Sequence, residues 1–370
     1  MTRHGLKWTF YEDVLPAWVA EMDFGLAPAV SEALHGAVDD ALTGYPYPQA
    51  EQAVARAASG FWRERFNWDV DPSWVFPAPD VIEGIRRAIT HLTRPGSPVV
   101  LHSPVYFPFY GMVDRAGRDI IEVRSDRDGR GRYTIDLGTV DRALDDGAGS
   151  IVVCNPWNPT GRVLSEEELV DIVELARRHD ARVIADEIHA AITYAGNRHT
   201  PLATIDNDLV VTVTSASKAW NLPGLKCAQV VLTAERDRER WSTYFTPEKV
   251  GVGTFGLIGN EAAYGSGVDW FDATLVRLEQ NRDLLTSLVE DLLPMVPYYP
   301  PEGTYLAWFD LGRYGLESPA EFFLEEAKVA MTPGEPFGTG AGSFARFNFA
   351  TSPDLIIEMV ERMASAVRSR

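Results

Sequence analysis

The middle of the chain alternates short apolar runs with amphipathic helical patterns. Three of these runs are rich in Val and Ile and are continuous rather than alternating, which is typical of strands buried on both faces. The runs are 150–154, 181–185 and 209–214, and 98–101 and 228–232 are two further strand predictions. Between the first two runs, Ser165 and Glu168 have the spacing of a capping box at a helix start. Strands alternating with helices predict an α/β fold with a mostly parallel sheet covered by helices.

The last hundred or so residues follow a different pattern, with long amphipathic helices around short strands. The predicted helices lie near 271–293, 319–328 and 353–367, and the predicted strands near 305–310 and 345–350. This pattern predicts a smaller α+β domain. A second domain is expected because a chain of 370 residues is too long for one compact core. The predicted parts are an N-terminal segment packing on the small domain (1–44), a large domain (45–265) and a small C-terminal domain (266–370).

Polar motifs follow directly after three of the central strands. They are Asn155–Gly161, Asp186–His189 and Ser215–Lys218. In an open α/β sheet, ligands bind at the carboxyl ends of the strands, so these three loops are expected to meet at one crevice. A lysine flanked by hydroxyls, a carboxylate and an amide are the groups that a Schiff-base cofactor requires.

The net charge narrows the range of partners. A charge of −19 argues against nucleic acid and anionic membranes, so any phosphate must be held by a local set of donors. No run approaches the roughly 18 apolar residues of a membrane span, and the N-terminus lacks the apolar core of a secretory signal. Two cysteines, Cys154 and Cys227, predict a reducing cytoplasm, with Cys154 packing in the core.

The order and spacing of motifs along nearly the whole chain resemble those of a known superfamily. The motifs are Trp18–Phe24, Gly44–Tyr45, Ser103–Phe109, Cys154–Arg162, Asp186–His189, Ser217–Lys218, Pro333–Gly338 and Arg346–Ala350. They resemble the fold-type I, class I/II aminotransferases that depend on pyridoxal 5′-phosphate (PLP), and most closely the cystathionine β-lyases of the MalY/PatB type. The resemblance implies the PLP-dependent transferase fold, a small amino-acid substrate and a homodimer whose active sites are shared between subunits.

The resemblance also implies the catalytic roles. Lys218 would carry PLP as a Schiff base and then act as the base on the substrate α-proton, a task suited to an amine of lowered pKa. Asp186 would pair with the pyridinium nitrogen, and Tyr106 would stack on the cofactor ring. Arg346 would bind the substrate carboxylate through a bidentate fork, which a lysine could not reproduce.

The remaining cofactor contacts concern the ring oxygen and the phosphate. Asn158 and His189 would contact the ring hydroxyl oxygen, and Asn158 later the substrate carboxylate. The apolar pattern after Asp80 predicts a helix with Asp80 as its cap and a free N-terminus that favours an anion. The implied phosphate ligands are the N–H groups of Val81 and Ile82, the side chains of Ser215, Ser217 and Lys226, and Tyr45 from a second subunit.

Three positions depart from the family pattern. Trp157 stands where these lyases commonly have His, Asp80 replaces a glycine, and Glu21 stands where Asp is usual. Trp157 adjoins Asn158 and is therefore expected to reshape the pocket. Taken singly, Lys218 is typical of a surface lysine and Asp186 of a capping acid, and only the joint order of the motifs favours a cofactor site.

The predicted function is a carbon–sulfur β-lyase that releases a thiol from a cysteine S-conjugate or cystathionine-like substrate to give pyruvate and ammonia. A class I/II aminotransferase is the alternative, because both reactions begin with removal of the same α-proton. A regulatory protein that binds PLP without turnover is a third hypothesis, which the intact catalytic set disfavours.

Overall fold

The computed structural model describes residues 5–244 and 251–370. The strands in chain order are β1 (Leu15–Ala17), β2 (Val75–Ala78), β3 (Val99–Ser103), β4 (Ile120–Arg124), β5 (Asp126–Arg127), β6 (Tyr133–Thr134), β7 (Ser150–Cys154), β8 (Arg182–Asp186), β9 (Val210–Thr214), β10 (Ala228–Val231), β11 (Leu306–Asp310), β12 (Val329–Pro333) and β13 (Phe344–Asn348). They form a seven-stranded sheet, a four-stranded sheet and the two-stranded pair β5–β6.

The helices surround these sheets. In chain order they are α1 (Leu6–Thr9), α2 (Pro28–Asp39), α3 (Pro48–Phe66), α4 (Val81–Leu92), α5 (Pro108–Arg115), α6 (Leu137–Asp145), α7 (Glu166–Arg178), α8 (Glu235–Tyr244), α9 (Thr254–Tyr264), α10 (Val268–Leu292), α11 (Pro319–Phe322) and α12 (Pro353–Arg368). A π-helical turn, Phe323–Ala327, continues α11 and interrupts the helix predicted over 319–328. Among the helices of the described ranges, none is long and apolar enough to cross a membrane.

The seven-stranded sheet has the order β2-β10-β9-β8-β7-β3-β4. Strands β4, β3, β7, β8 and β9 run parallel, whereas β10 runs antiparallel to both β9 and β2. Every residue of β7, β8 and β9 is buried, which is why these runs are apolar without alternation. The predicted α/β fold with a mostly parallel sheet is confirmed, and the antiparallel insertion of β10 is a feature that the apolar pattern does not encode.

Two predicted helix starts occur as expected. Ser165 and Glu168 form the reciprocal capping box of α7. Asp80 caps α4, where its Oδ1 accepts the Glu83 N–H at 2.8 Å. Helix α4 lies so close to the sheet that a Cβ at Gly84 would be 2.7 Å from Val213 Cγ1, so a glycine is required there. This close packing sets the N-terminus of α4 beside the carboxyl end of β9.

The four-stranded sheet has the order β1-β12-β13-β11 and combines both ends of the chain. Strand β1 pairs in parallel with β12, while β13 runs antiparallel to β11 and β12. Of these strands, β11 and β13 follow from the sequence pattern, but β1 and β12 do not. The domain boundaries at 44/45 and 265/266 stay a prediction.

Candidate active site

A cavity opens at the carboxyl ends of β7, β8 and β9, between the two sheets. It is bordered by the N-terminus of α4, by residues 18–20 and by strand β13. The predicted site residues that line it are Val81, Ile82, Tyr106, Asn158, Asp186, His189, Ser215, Ser217, Lys218, Lys226 and Arg346. Eleven of the twelve predicted residues thus meet at one cavity, brought there by the ends of β7, β8 and β9, the loops after β3 and before β10, the N-terminus of α4, and the small sheet.

Lys218 lies in the turn after β9 and extends its amine into the cavity. Its Nζ donates a hydrogen bond to the carbonyl oxygen of Ala20 at 3.0 Å. Burial of the amine lowers the pKa of Lys218 to about 8, and the nearby Arg346 cation acts in the same direction. An amine with this pKa can exchange a proton near neutral pH, as a base for a carbon acid must.

Asp186 is the last residue of β8 and sits between the ends of two neighbouring strands. It pairs in register with Cys154 of β7 and Val213 of β9, and only 3% of its surface is exposed. The carboxylate Oδ1 accepts the Ile188 N–H at 3.1 Å. Burial raises the pKa of Asp186 to about 7, so a positive group beside it would stabilise its ionised form.

Arg346, on β13, connects the small sheet to the loop after β7. Its Nη1 donates to Asn158 Oδ1 at 3.0 Å, and its Nη2 donates to the Trp18 carbonyl at 3.2 Å and to Thr332 Oγ1 at 3.1 Å. The guanidinium also lies 5.2 Å from the centre of the Phe337 ring. Burial lowers the pKa of Arg346 to about 10, which leaves it cationic at neutral pH.

His189 and Tyr106 line the cavity with few polar contacts of their own. His189 is 1% exposed, and its Nδ1 has no hydrogen-bond partner among the described residues. Burial, with Lys218 and Arg346 nearby, lowers the pKa of His189 and keeps the ring neutral. Tyr305, which the sequence does not single out, packs edge-on against His189 at 6.2 Å and donates its hydroxyl proton to Ala20 O at 2.9 Å.

The expected phosphate site combines a helix N-terminus with a lysine. Lys226 Nζ lies 2.8 Å from Asp80 Oδ2, so the residue that caps α4 also holds the lysine beside the N-terminus of that helix. The Ser215 hydroxyl donates to the Cys227 carbonyl at 2.6 Å and accepts the Ser217 N–H at 3.0 Å. Ser215 therefore stabilises the loop. Its hydroxyl would have to rotate away from the Cys227 carbonyl to donate a hydrogen bond to a phosphate.

Two residues lie elsewhere than the cavity. Tyr45 is 96% exposed and lies away from it, beside the N-terminus of α9. Trp157 is fully buried, with its Nε1 donating to the Pro104 carbonyl at 2.7 Å and its rings edge-on to His102 at 4.4 Å. The expectation that Trp157 reshapes the pocket is wrong, because its side chain points into the core while Asn158 turns toward the cavity.

The residues present fit PLP. Among the described residues, His189 Nδ1 and Arg346 Nε are buried polar atoms without partners beside the cavity. Its ionisable groups are displaced toward their neutral forms, with the pKa of Asp186 raised and those of Lys218 and Arg346 lowered. Such a site lacks compensating charge, and a ligand with a ring nitrogen cation and a phosphate would supply it.

Comparison with known proteins identifies the class. The family model for aminotransferases of class I and II matches residues 19–363, and the chain belongs to that family, whose members depend on PLP. The chain is 39% identical to the cystathionine β-lyase of Corynebacterium glutamicum, over 99% of this chain and 97% of that protein. It is 33% identical to the cystathionine β-lyase PatB of Bacillus subtilis, over 96% and 93% of the two chains.

A solved structure agrees with these relatives. The PLP-bound C–S lyase from Staphylococcus hominis is 26% identical, with a TM-score of 0.90 over 97% of this chain and 92% of that one. The chain is thus a cystathionine β-lyase-like, PLP-dependent enzyme. The resemblance read from the motifs is confirmed at the level of family, fold and cofactor.

Sequence reasoning missed part of the site because backbone atoms form it. Residues 18–20 line the cavity, and their hydrogen bonds to the site residues are made by the carbonyl oxygens of Trp18 and Ala20. Any side chain leaves a carbonyl available, so residue types give no direct signal. The motif Trp18–Phe24 marks the segment but not its role.

Proposed function

We propose that this enzyme is a carbon–sulfur β-lyase that releases a thiol from a cysteine S-conjugate or cystathionine-like amino acid. The products would be one thiol, one pyruvate and one ammonia for each substrate and one water. The observation that carries this proposal is the likeness to a cystathionine β-lyase across 99% of the chain. The cavity supports it, since Lys218, Asp186 and Arg346 converge there.

The cofactor would be held by groups on three sides of the cavity. Asp186 would pair with the pyridine nitrogen, Asn158 and His189 would contact the ring oxygen, and Tyr106 would cover the ring face. The N–H groups of Val81 and Ile82, with Ser215, Ser217 and Lys226, would hold the phosphate. When bound, PLP supplies an electron sink that makes the α-proton of an amino acid acidic enough to remove.

Two residues of this chain would then act on the substrate. Arg346 is fixed by Asn158 and Thr332, and its guanidinium would bind the α-carboxylate and orient the amino acid. Lys218 Nζ would take the proton from Cα, and its pKa of about 8 suits that task near neutral pH. The Cβ–S bond breaks with its electron pair leaving on sulfur, and a thiolate is a good leaving group because its parent pKa is only about 8.5.

The residues that line the cavity support a proposal about the group attached to the substrate sulfur. Apart from the charged groups assigned above, the lining that this chain contributes within the described residues is uncharged. Trp18, Val19, Phe107, Ile188 and Pro223 supply mainly apolar surface. A second ammonium or carboxylate on the leaving thiol would find no partner there, so we propose an apolar S-substituent as the preferred substrate.

A substrate panel tests the reaction. Purified enzyme is incubated with S-alkyl cysteines, S-aryl cysteines and L-cystathionine, and pyruvate and thiol are measured with and without an added 2-oxo acid. The proposal expects equal amounts of thiol and pyruvate without the 2-oxo acid, and none from Lys218→Ala. Amino transfer to the 2-oxo acid without thiol release would contradict the lyase and favour an aminotransferase. Absence of any turnover by PLP-loaded enzyme would favour a regulatory protein.

We also propose a homodimer with shared sites. The Tyr45 side chain is 96% exposed and lies outside the cavity that its own chain lines, so it is free to enter the site of a second subunit. Mixed dimers test this proposal, with one subunit carrying Tyr45→Ala and the other Lys218→Ala. If Tyr45 serves the partner's site, one intact site per mixed dimer forms and activity returns although both parent variants are impaired. Mixed dimers no more active than the parents would contradict the shared site.

A further inference from the structure

The segment Trp18–Met22, here called the wall, runs along one side of the cavity. Its residues 18–20 line the cavity, and the carbonyl oxygens of Trp18 and Ala20 bind the site residues. The Ala20 carbonyl accepts hydrogen bonds from Lys218 Nζ at 3.0 Å and from the Tyr305 hydroxyl at 2.9 Å. The Trp18 carbonyl accepts from Arg346 Nη2 at 3.2 Å. Both the proposed proton carrier and the proposed carboxylate ligand are therefore oriented by this short stretch of backbone.

Two side-chain amides hold the wall in place. Asn348 Nδ2 donates to the carbonyls of Val19 at 2.6 Å and Glu21 at 2.7 Å, on either side of Ala20. The same side chain is fully buried, and its Oδ1 accepts the Ala350 N–H at 2.7 Å. All the hydrogen-bonding groups of this amide are thus used to fix the wall against the end of β13.

Asn221 holds the next residue of the wall from the opposite side. Its Oδ1 accepts the Met22 N–H at 2.9 Å, and its Nδ2 donates to the Met22 carbonyl at 3.0 Å. Its backbone has φ of 58°, in the left-handed region that asparagine tolerates better than most residues. Asn348 and Asn221 are together called the clamps. Asn348 lies two residues after Arg346, and Asn221 lies three residues after Lys218, so each reactive group is on the same segment as one clamp.

We propose that Asn348 and Asn221 are positioning residues that hold the Ala20 carbonyl as the acceptor for the Lys218 amine during proton transfer. This proposal rests on the proposed role of Lys218 as the proton carrier. Within residues 5–244 and 251–370, Ala20 O is the one hydrogen-bond acceptor of Lys218 Nζ, whereas Arg346 has three acceptors. Loss of a clamp should therefore disturb proton transfer more than carboxylate binding.

The clamps should also set the charge state of Lys218. Burial and Arg346 lower the pKa of Lys218, whereas Glu21 and Asp186 raise it. A carbonyl that accepts from an ammonium also stabilises the charged form, so Ala20 O and Glu21, which both belong to the wall, act in the same direction. When the wall shifts, this stabilisation weakens and the pKa falls. The acid side of the rate profile for α-proton removal then moves to lower pH, because the neutral amine is the base.

The test compares Asn348→Ala and Asn221→Gly with a matched control, Asn281→Ala. Glycine accepts the positive φ at 221 without strain. Asn281 is equally buried and donates two bonds to the carbonyls of Phe349 and Thr351, at 3.0 and 2.7 Å, outside the cavity. The PLP-loaded enzymes are compared by exchange of the substrate α-proton in D2O, by kcat and KM, and by the pH profile of the exchange.

At pH values where Lys218 is neutral in every variant, we expect exchange to be slowed roughly tenfold in both clamp variants, about what one hydrogen bond lost by the developing ammonium gives. The KM should change less than about threefold. Competitive acetylation of the cofactor-free chain, read by mass spectrometry at Lys218, should show its pKa lowered by about half a unit or more. Asn281→Ala should leave both measurements near wild type. Where one clamp variant does not fold, the other carries the comparison.

Two results would overturn the proposal. One is clamp variants no slower in exchange than Asn281→Ala, which would make the amides structural only. The other is KM rising in step with the fall in kcat while the pKa of Lys218 stays unchanged, which would assign the wall to carboxylate binding. Because α-proton exchange is common to lyases and aminotransferases, missing pyruvate in the wild type would refute the lyase and leave this comparison intact.

Discussion

Replacing Asp186 by Asn should stabilise the cofactor-free chain while inactivating the enzyme. Asp186 is 3% exposed, and burial raises its pKa from 3.8 to about 7. An acid whose pKa is raised by folding is ionised first in the unfolded chain. The folded state therefore loses stability as pH rises from about 4, and the loss is complete once pH passes about 7. Asn is uncharged at every pH and avoids this loss.

The size of the effect follows from the shift in the pKa of Asp186. A shift from 3.8 to about 7 corresponds to about 4 kcal/mol at alkaline pH, at about 1.4 kcal/mol per unit. About half of this, about 2 kcal/mol, should develop between about pH 5.5 and about pH 8.5. Groups that Asp186 does not perturb are common to the two chains and cancel when their stabilities are subtracted at each pH, whereas Lys218, whose pKa Asp186 raises, contributes to the difference.

Urea unfolding of the two cofactor-free chains at both pH values measures the prediction. The stability of Asp186→Asn relative to wild type should increase by about 2 kcal/mol from about pH 5.5 to about pH 8.5. A difference that stays constant, or that shrinks with pH, would refute the raised pKa. With PLP bound, wild type should be the more stable of the two chains, because the ionised Asp186 then has a cationic partner. PLP should therefore raise the melting temperature of wild type more than that of the variant.

Two further variants test the site and its surroundings. Arg346→Lys removes the planar fork and should raise KM about 30- to 150-fold, with the visible absorbance of bound PLP unchanged; an unaltered KM would exclude Arg346 as the carboxylate ligand. Trp157→Phe leaves the Pro104 carbonyl without its indole donor and opens a small cavity, which should cost about 2 to 4 kcal/mol in urea unfolding. Its kcat/KM should stay within about threefold of wild type, and a change in substrate preference would contradict the core location of Trp157.

The central strands could be predicted because their surroundings are uniform. Strands β7, β8 and β9 are buried on both faces, so most of their positions are apolar and the pattern can be recognised without tertiary information. The capping box at Ser165 and the cap at Asp80 are equally local, since each needs only the next three residues. Strand β1 has only three residues and pairs with β12, more than 300 residues away, so the local sequence does not predict it.

The side chains of the site were predictable for the same reason as the strands. Asp186 ends β8 and Lys218 lies in the turn after β9, and the fold rule for α/β sheets brings such strand ends together. Trp157 shows where this reasoning stops, because the neighbour of a site residue in the chain can point the opposite way. Its indole packs against His102 and donates to the Pro104 carbonyl, so its orientation depends on the packing of the core.

The electrostatics of the cavity explain why the cofactor can be inferred from the protein alone. Lys218 and Arg346 have lowered pKa values and Asp186 a raised one, so each group is held in a place that disfavours its charge. In a cluster that only stabilises the fold, these shifts would not be expected, because the oppositely charged groups could form ion pairs and so favour their charged forms. Here Lys218 donates to a carbonyl and Arg346 to an amide, a hydroxyl and a carbonyl, while Asp186 accepts from a backbone N–H. The chain keeps its opposite charges apart, and the space between them suits a ligand that carries both signs.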